Sequence, residues 1–349
     1  MKILLITIIL FFFDNSVLAQ ELPFIEGENI FNETVAKMAD GSFKFNIQNI
    51  INNIVNLFLA EIRENSHSLI LFFVIGIISS IVELLEFKDK SSTDASFFAC
   101  YTLCAGAAMK ILLNILDYAT GVVDALADFI TKLAPILTTL LLTSGKAVSA
   151  SAFHPVLSSA VFVVTLIVKK CIIPLSVYAS VLSVANNINE QVQISSFCRL
   201  ISSISKWILT AAFTIFAGIC GIYGFSAPAL DVLGAKTAKF AVGTLVPVVG
   251  RFLSDTMETV ISGSHLMKNA VGGAGIFALF SICSIPVIKI TVMLFFLRIC
   301  TALIEPLTDK RISKLLFDMS EIVTVIFGMV VTITVLFIIC ISIIISATN

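Results

Sequence analysis

The chain has 349 residues, of which 58% are hydrophobic and only 13% are charged. Soluble domains are about half apolar and about a quarter charged, so this composition predicts a membrane protein with several spans and excludes a soluble enzyme. The formal net charge of −1, from 22 basic and 23 acidic residues, leaves no basic excess for binding nucleic-acid phosphates.

Residues 1–19 have the three parts of a secretory signal peptide. Lys2 supplies a positive n-region, Ile3 to Phe13 form an apolar h-region, and Val17-Leu18-Ala19 fits a small-residue cleavage site. The apolar run is too short to span a membrane comfortably, and an uncleaved anchor is the alternative. In both cases the chain from Gln20 onward is expected to begin outside the cytoplasm.

Residues 20–67 form a short segment that is expected to lie outside the cytoplasm. From Phe43 to Ile62, apolar residues recur at helical spacing with asparagines between them, which predicts an amphipathic helix. Such a helix lies in the membrane interface, contacts a partner or packs onto the membrane domain, and the spacing does not choose between these.

The polytopic domain is predicted over 68–349, and its first two spans fix an orientation. Ser68–Leu85 and Ala95–Leu116 are apolar, with a short basic loop between them. An acidic stretch with Asp117, Asp124 and Asp128 follows the second span. A start outside places the lysines inside and the acidic stretch outside, as the positive-inside rule expects.

The later spans are less regular. We predict a short third span that contains Pro135 and two passes over 271–304, where Pro286 and Lys289 interrupt the run. Residues 152–185 are long enough for one tilted helix or for a hairpin of half-helices around Lys169-Lys170 and Pro174, and we count them as one pass. The count is then eight, with six or seven as alternatives, and the fold is an all-α transmembrane bundle with some broken or re-entrant spans. This count places both the basic loop of Lys310, Arg311 and Lys314 and the block 227–270 inside. The short third span is Lys132–Thr143, and the other two predicted spans are Trp207–Phe225 and Glu321–Ser346.

A central polar block over 227–270 breaks the apolar pattern, most densely from Thr237 to Gly275. Charges and backbone breakers next to lipid-like sequence are costly, so we expect this segment to line a cavity, contact a partner or lie in the interface. Arg251, Asp255 and Glu258 are spaced four and three residues apart, so they share one helix face. This face is expected to meet a partner or a polar pore wall, and a solvated interfacial face is the alternative. The candidate partner- or pore-facing residues of the block are Lys239, Pro247, Gly250, Arg251, Asp255, Glu258, Lys268 and Gly272.

Three residues outside the block also stand out, and two of them, Lys289 and His154, complete the candidate set. Lys289 and Arg298 lie inside an apolar run, where a charge generally faces the bundle interior and needs a partner. Glu305, Asp255 or the acidic stretch are the candidate partners, and Arg298 has snorkelling to the interface as its alternative. His154, at the start of a span, caps a helix or faces a polar cleft.

No catalytic, cofactor or metal site is predicted. Gly273-Ala-Gly275 fits a loose dinucleotide fingerprint, but it opens an apolar span and follows no strand. The sequence has no H-E-x-x-H pair, no G-x-S-x-G elbow and no Walker A loop. Cys100 and Cys104 share a helix face without a second ligand pair, so packing is the better interpretation.

With these residues in view, the sequence resembles the stage III sporulation protein AE family. The resemblance extends from the signal sequence to the last span and is most specific in the central block. The residues that carry it are Thr237-Ala-Lys-Phe240, Gly243, Pro247-Val-Val-Gly-Arg251, Ser254-Asp255, Thr259-Val260, Lys268-Asn-Ala-Val-Gly272, Pro286, Lys289-Ile290 and Ala152-Phe153-His154-Pro155.

The resemblance implies a role and no chemistry. It implies a multi-pass protein of the mother-cell membrane around the forespore, which assembles with the other stage III sporulation A-operon proteins (AA to AH) and with stage II sporulation protein Q. Together these proteins are expected to form a secretion-like channel that is required after engulfment, in which this chain is a non-enzymatic subunit, alone or as an oligomer. An autonomous secondary transporter with broken helices is the alternative, and an intramembrane enzyme is a third.

Overall fold

The computed structural model describes residues 27–39, 47–84, 90–188, 195–245, 250–306 and 308–346. The predicted signal peptide, residues 1–19, lies outside these ranges. Within them every regular element is a helix and no strand occurs, so the predicted all-α class is confirmed. The helices are α1 Gly27–Ala39, α2 Ile47–Leu84, α3 Lys90–Thr143, α4 Ala147–Ile167, α5 Ile173–Ile188, α6 Ser195–Leu245, α7 Gly250–Ile304 and α8 Lys310–Ser346, with a π-helical turn Val168–Ile172 between α4 and α5.

Five helical segments are long and apolar enough to cross a membrane within the described part of the chain. Each exceeds the roughly 20 residues that a transmembrane helix needs. A shorter apolar stretch, Ile70–Ile81, lies in α2. The five segments are Phe97–Thr143, Ala147–Ile188, Ser196–Leu233, Asn269–Ile304 and Lys310–Ser346.

Helix continuity corrects two of the predicted boundaries. The two passes expected over 271–304 are one helix, and Pro286 lies inside it. The short span expected over 132–143 is the end of α3, which also contains a proline, Pro135. Proline is tolerated in membrane helices because neighbouring helices and local adjustments of the backbone satisfy the groups that it leaves without a partner. Residues 152–185 lie in one continuous helical segment, as the predicted single pass requires, and the π-helical turn is part of it.

α8 is the centre of the bundle. Its side chains are buried along one wide face from Ile312 to Ile344, while Lys314, Phe317 and Val335 are exposed. It packs against α3, α5, α6 and α7. In contrast, only 12% of the most apolar window of α6 is buried, so α6 lies at the edge of the bundle.

Two glycines allow α6 and α7 to approach the last turns of α8. A Cβ at Gly224 in α6 would overlap Cγ2 of Ile343, and one at Gly272 in α7 would overlap the side chain of Ile345. Small residues permit this kind of close packing between membrane helices. In contrast, a Cβ at Gly218, on the same helix as Gly224, would meet nothing within 4 Å.

The two ends of the bundle carry different segments. The basic loop lies where α8 begins, and there the guanidinium carbon of Arg311 is 4.2 Å from the ring centroid of Phe97, near the start of the apolar part of α3. Gly272, just after the central block, packs instead against Ile345 at the far end of α8. A single helix joins the block to the basic loop. If that helix crosses the membrane once with the basic loop inside, the block lies outside. The placement of both inside stays a prediction, and so does this alternative.

This orientation predicts opposite labelling of the two ends. A membrane-impermeant thiol reagent added to intact protoplasts should label Met267→Cys, which is exposed at the end of the block. Lys314→Cys, which is exposed at the start of α8, should react only after the membrane is opened. Labelling of Lys314→Cys alone in intact protoplasts would reverse the orientation.

The close approach at Gly224 predicts a position-specific loss of stability. Gly224→Ala should lower the free energy of unfolding by about 1–3 kcal/mol, because Cγ2 of Ile343 moves only if the χ1 angle of a stiff β-branched residue changes. Gly218→Ala, on the same helix, should be neutral or stabilising. The measurement is the apparent Tm of the full chain in detergent, and Ile343→Ala should rescue the first variant. Equal Tm values for the two alanine variants would contradict the close packing.

Candidate functional site

A buried ion pair joins α2 to α7 in the middle of the bundle. Nζ of Lys289 is 3.7 Å from Oε2 of Glu61, and the two side chains are 15% and 9% exposed. Nζ also lies 5.1 Å from the ring centroid of Tyr118 on α3, at cation–π distance. The expectation that Lys289 faces the interior and has an acidic partner is confirmed.

The partner is none of the three that the sequence offered. Glu61 belongs to the amphipathic segment whose apolar positions Ile54, Phe58 and Ile62 are half-buried. It follows Phe58 by three residues, so an acidic residue lies on the inward face of that helix. This is the signal that sequence reasoning missed. The same helix leaves other apolar side chains exposed, including Ile51, Val55 and Leu59.

Arg298 lies in a different environment, at the surface between α7 and α8. Its Nη2 is 3.3 Å from Oε1 of Glu321 and donates to Oγ1 of Thr324 at 3.1 Å. Nζ of Lys206 on α6 approaches the same carboxylate at 3.9 Å. The side chains of Arg298 and Glu321 are 55% and 40% exposed, so this network ties three helices together at the surface.

A buried polar stripe runs along α5 and meets a carboxylate on α8. Ser183 donates to Oδ2 of Asp318 at 2.9 Å, and the amide of Asn187 donates to the same oxygen at 3.1 Å. The hydroxyl of Tyr101 on α3 donates to the carbonyl of Val184 at 2.6 Å. Sequence reasoning missed this stripe, although its spacing of four, three and four residues is the spacing of one helix face. The buried members of the stripe are Ser176, Ser180, Ser183 and Asn187.

One acid of the central block caps a helix. The two carboxylate oxygens of Asp231 accept the backbone N–H groups of Val148 and Ser149, at 2.8 and 2.9 Å, at the start of α4. A carboxylate here neutralises the unpaired donors and the positive end of the helix dipole. Burial lowers the pKa of the neighbouring Lys146, and the charge of Asp231 opposes that shift. Asp231 therefore fixes the junction between α3 and α4 from the distant α6.

The other predicted residues fall into two groups. Gly272 is buried against Ile345, and His154 lies on the exposed face of α4. Pro247 lies outside the described residues. For the rest of the set, the structure describes the helical backbone alone. For all of them a partner- or pore-facing role stays a prediction. The residues with described backbone alone are Lys239, Gly250, Arg251, Asp255, Glu258 and Lys268.

Thiols and carboxylates do not gather into a metal-ligand set among the described residues. Six of the eight cysteines are buried, including Cys100 and Cys104, which pack in the core. Burial of these thiols agrees with the packing interpretation of their spacing. The polar features of the bundle are thus ion pairs and hydrogen-bonded clusters between helices.

Comparison with known proteins identifies relatives over nearly the whole described bundle. The family model for stage III sporulation protein AE matches residues 30–348. The stage III sporulation protein AE of Bacillus subtilis (strain 168) is 29% identical over 318 residues, which cover 90% of this chain and 80% of the relative. No solved structure matches.

Removal of one partner of the buried ion pair is expected to cause a large loss of stability, and removal of both partners should restore most of it. Lys289→Met should cost about 3–5 kcal/mol, because it leaves the buried carboxylate of Glu61 without the ammonium beside it. The double variant Lys289→Met/Glu61→Met should recover most of that loss, since both charges are then gone. Arg298→Met, at the exposed pair, should cost about 0–1 kcal/mol.

The apparent Tm of the full chain in detergent measures each effect, and the double variant provides the coupling between the two sites. Additive losses in the double variant would show that Lys289 and Glu61 do not interact.

Proposed function

Because the chain belongs to the stage III sporulation protein AE family, we propose that it is a non-enzymatic membrane subunit of a multiprotein, secretion-like channel between mother cell and forespore. Family membership gives the chain a role in sporulation, and its five long apolar helices indicate a membrane protein. The channel, the mother-cell membrane around the forespore and the absence of catalysis are the proposed part.

The match over residues 30–348 is the observation that carries the proposal. It includes the central block together with the buried pair of Lys289 and Glu61, so the family shares the full helical domain and not only one span. The proposed partners are the other stage III sporulation A-operon proteins (AA to AH) and stage II sporulation protein Q, which the resemblance of the block implies.

The arrangement of charges supports a subunit over an autonomous transporter. Secondary transporters bind their substrate at the midplane between discontinuous helices. Here the described spans are continuous, and the buried lysine at mid-span is already neutralised by Glu61. Hydrogen bonds satisfy Asp318 in the same way. These groups connect helices within the chain, as expected for a subunit with a structural role in a larger assembly.

Affinity purification of the full chain from sporulating cells of its own host tests the proposal. We expect the other A-operon proteins and stage II sporulation protein Q to be recovered with it. Arg251→Ala should reduce this recovery and block development after engulfment at an unchanged protein level. Lys314→Ala, an exposed charge at the other end of the bundle, is the matched control.

Two outcomes would contradict the proposal. Recovery of the chain alone, with transport of a solute by the purified protein in vesicles, would establish the secondary transporter instead. Normal spore yield in Arg251→Ala at a normal protein level would remove the functional role of that residue.

A further inference from the structure

A groove opens between α3 and α4 on the outer surface of the bundle. The cavity measures about 620 Å³, and its lining is mostly apolar, with charged and hydroxyl side chains among the apolar ones. The π-helical turn lies at one end of the groove and carries two adjacent lysines. The polar side chains used below are Asp124, Asp128, Thr131, Ser158, Lys169 and Lys170.

The charges of this groove are open to the surroundings of the chain. Nζ of Lys169 is 2.6 Å from Oδ1 of Asp124, yet their side chains are 38% and 48% exposed. Lys170 and Asp128 are exposed as well. This differs from the pair of Lys289 and Glu61, which the bundle encloses.

The groove lies at the middle of the helices that form it. Lys169 is near the centre of the 42-residue segment Ala147–Ile188, with about 30 Å of helix on either side at 1.5 Å per residue. Asp124 is likewise about 30 to 40 Å from each end of Phe97–Thr143. A hydrocarbon layer of about 30 Å that is centred on these segments contains the charged residues of the groove.

Two exposed positions on other helices are apolar at this depth. Ile215 is 64% exposed near the centre of Ser196–Leu233, and Phe280 is 48% exposed on α7. These side chains suit contact with lipid. At the groove, as at the exposed network around Glu321, lipid would instead meet charged side chains, which are costly at the bilayer centre.

We propose that the groove between α3 and α4 is filled with water in the assembled membrane protein and forms a wall of the conduit for small hydrophilic solutes. The proposal rests on the channel-subunit function proposed above. Two lysines facing two aspartates give a wall with balanced charge, which admits solutes of either sign. The hydroxyls of Thr131 and Ser158, which line the groove, donate to carbonyls of their own helices and keep their acceptor capacity.

Π-helical geometry supports a functional reading of the groove. Single π-helical turns inside α-helices occur frequently at functional sites. Here the turn covers Val168–Ile172 and places Lys169 towards Asp124 while Lys170 stays exposed beside it. The same turn places two positive charges beside the acidic stretch of α3. An uninterrupted apolar span does not need these charges.

Thiol accessibility in membranes of sporulating cells tests the water content of the groove. The background is the full chain with Cys171→Ala and Cys198→Ala, which removes the two half-buried native thiols and leaves the six buried ones. A charged methanethiosulfonate reagent should modify Ser158→Cys at least about tenfold faster than Ile215→Cys, because the reactive thiolate forms in water and is suppressed in hydrocarbon. Thr131→Cys, across the groove, should follow Ser158→Cys.

A bulky substitution tests the conduit itself. Ser158→Trp should lower spore yield at a normal protein level, whereas Ile215→Trp, on an exposed apolar face of α6, should not. Equal slow labelling of Ser158→Cys, Thr131→Cys and Ile215→Cys would overturn the water-filled groove. Fast labelling with unchanged spore yield in Ser158→Trp would overturn its place in the conduit. Failure to recover channel partners by affinity purification is a separate result that concerns the proposed function alone.

Discussion

A charge at bilayer depth is tolerated when it is paired inside the protein or when it touches water, and this constraint organises the bundle. At the contact of α2 with α7 the constraint is met by enclosure, since Glu61 and Lys289 neutralise each other beside the ring of Tyr118. At the groove between α3 and α4, Asp124 and Lys169 are paired but stay open to the outside. Tyr118 and Asp124 lie on different faces of α3, so this one helix separates an enclosed polar contact from an exposed one.

The apolar core makes this division possible. α8 is buried along most of its length and brings few polar groups into the centre of the bundle. Asp318, near its start, is satisfied by Ser183 and Asn187 of α5. The remaining charged contacts are therefore made among the outer helices, or between them and the surface of α8 at Glu321. Close packing at Gly224 and Gly272 holds the outer helices to the far end of α8.

The sequence predicted the class of the fold and the inward position of Lys289, because composition and an isolated charge in an apolar run are local signals. Helix continuity through Pro286 was not predictable in this way, since proline acts as a breaker unless tertiary neighbours support the helix. The partner Glu61 was missed because pairing depends on how distant helices meet. The polar stripe from Ser176 to Asn187 did carry a local signal in its spacing, but single serines in apolar helices are too common to be read alone.

The continuity of α7 also changes what the central block can contact. A block at the cytoplasmic end would meet soluble partners in the mother cell, such as an ATPase. If α7 crosses the membrane once with the basic loop inside, the block would instead face the space between the two membranes in the proposed channel, within reach of proteins anchored in the forespore membrane. Asp231, at the start of the block, already fixes the junction of α3 and α4 at this end. Because α3 and α4 also line the groove, Asp231 links the start of the block to the helices that form the groove walls.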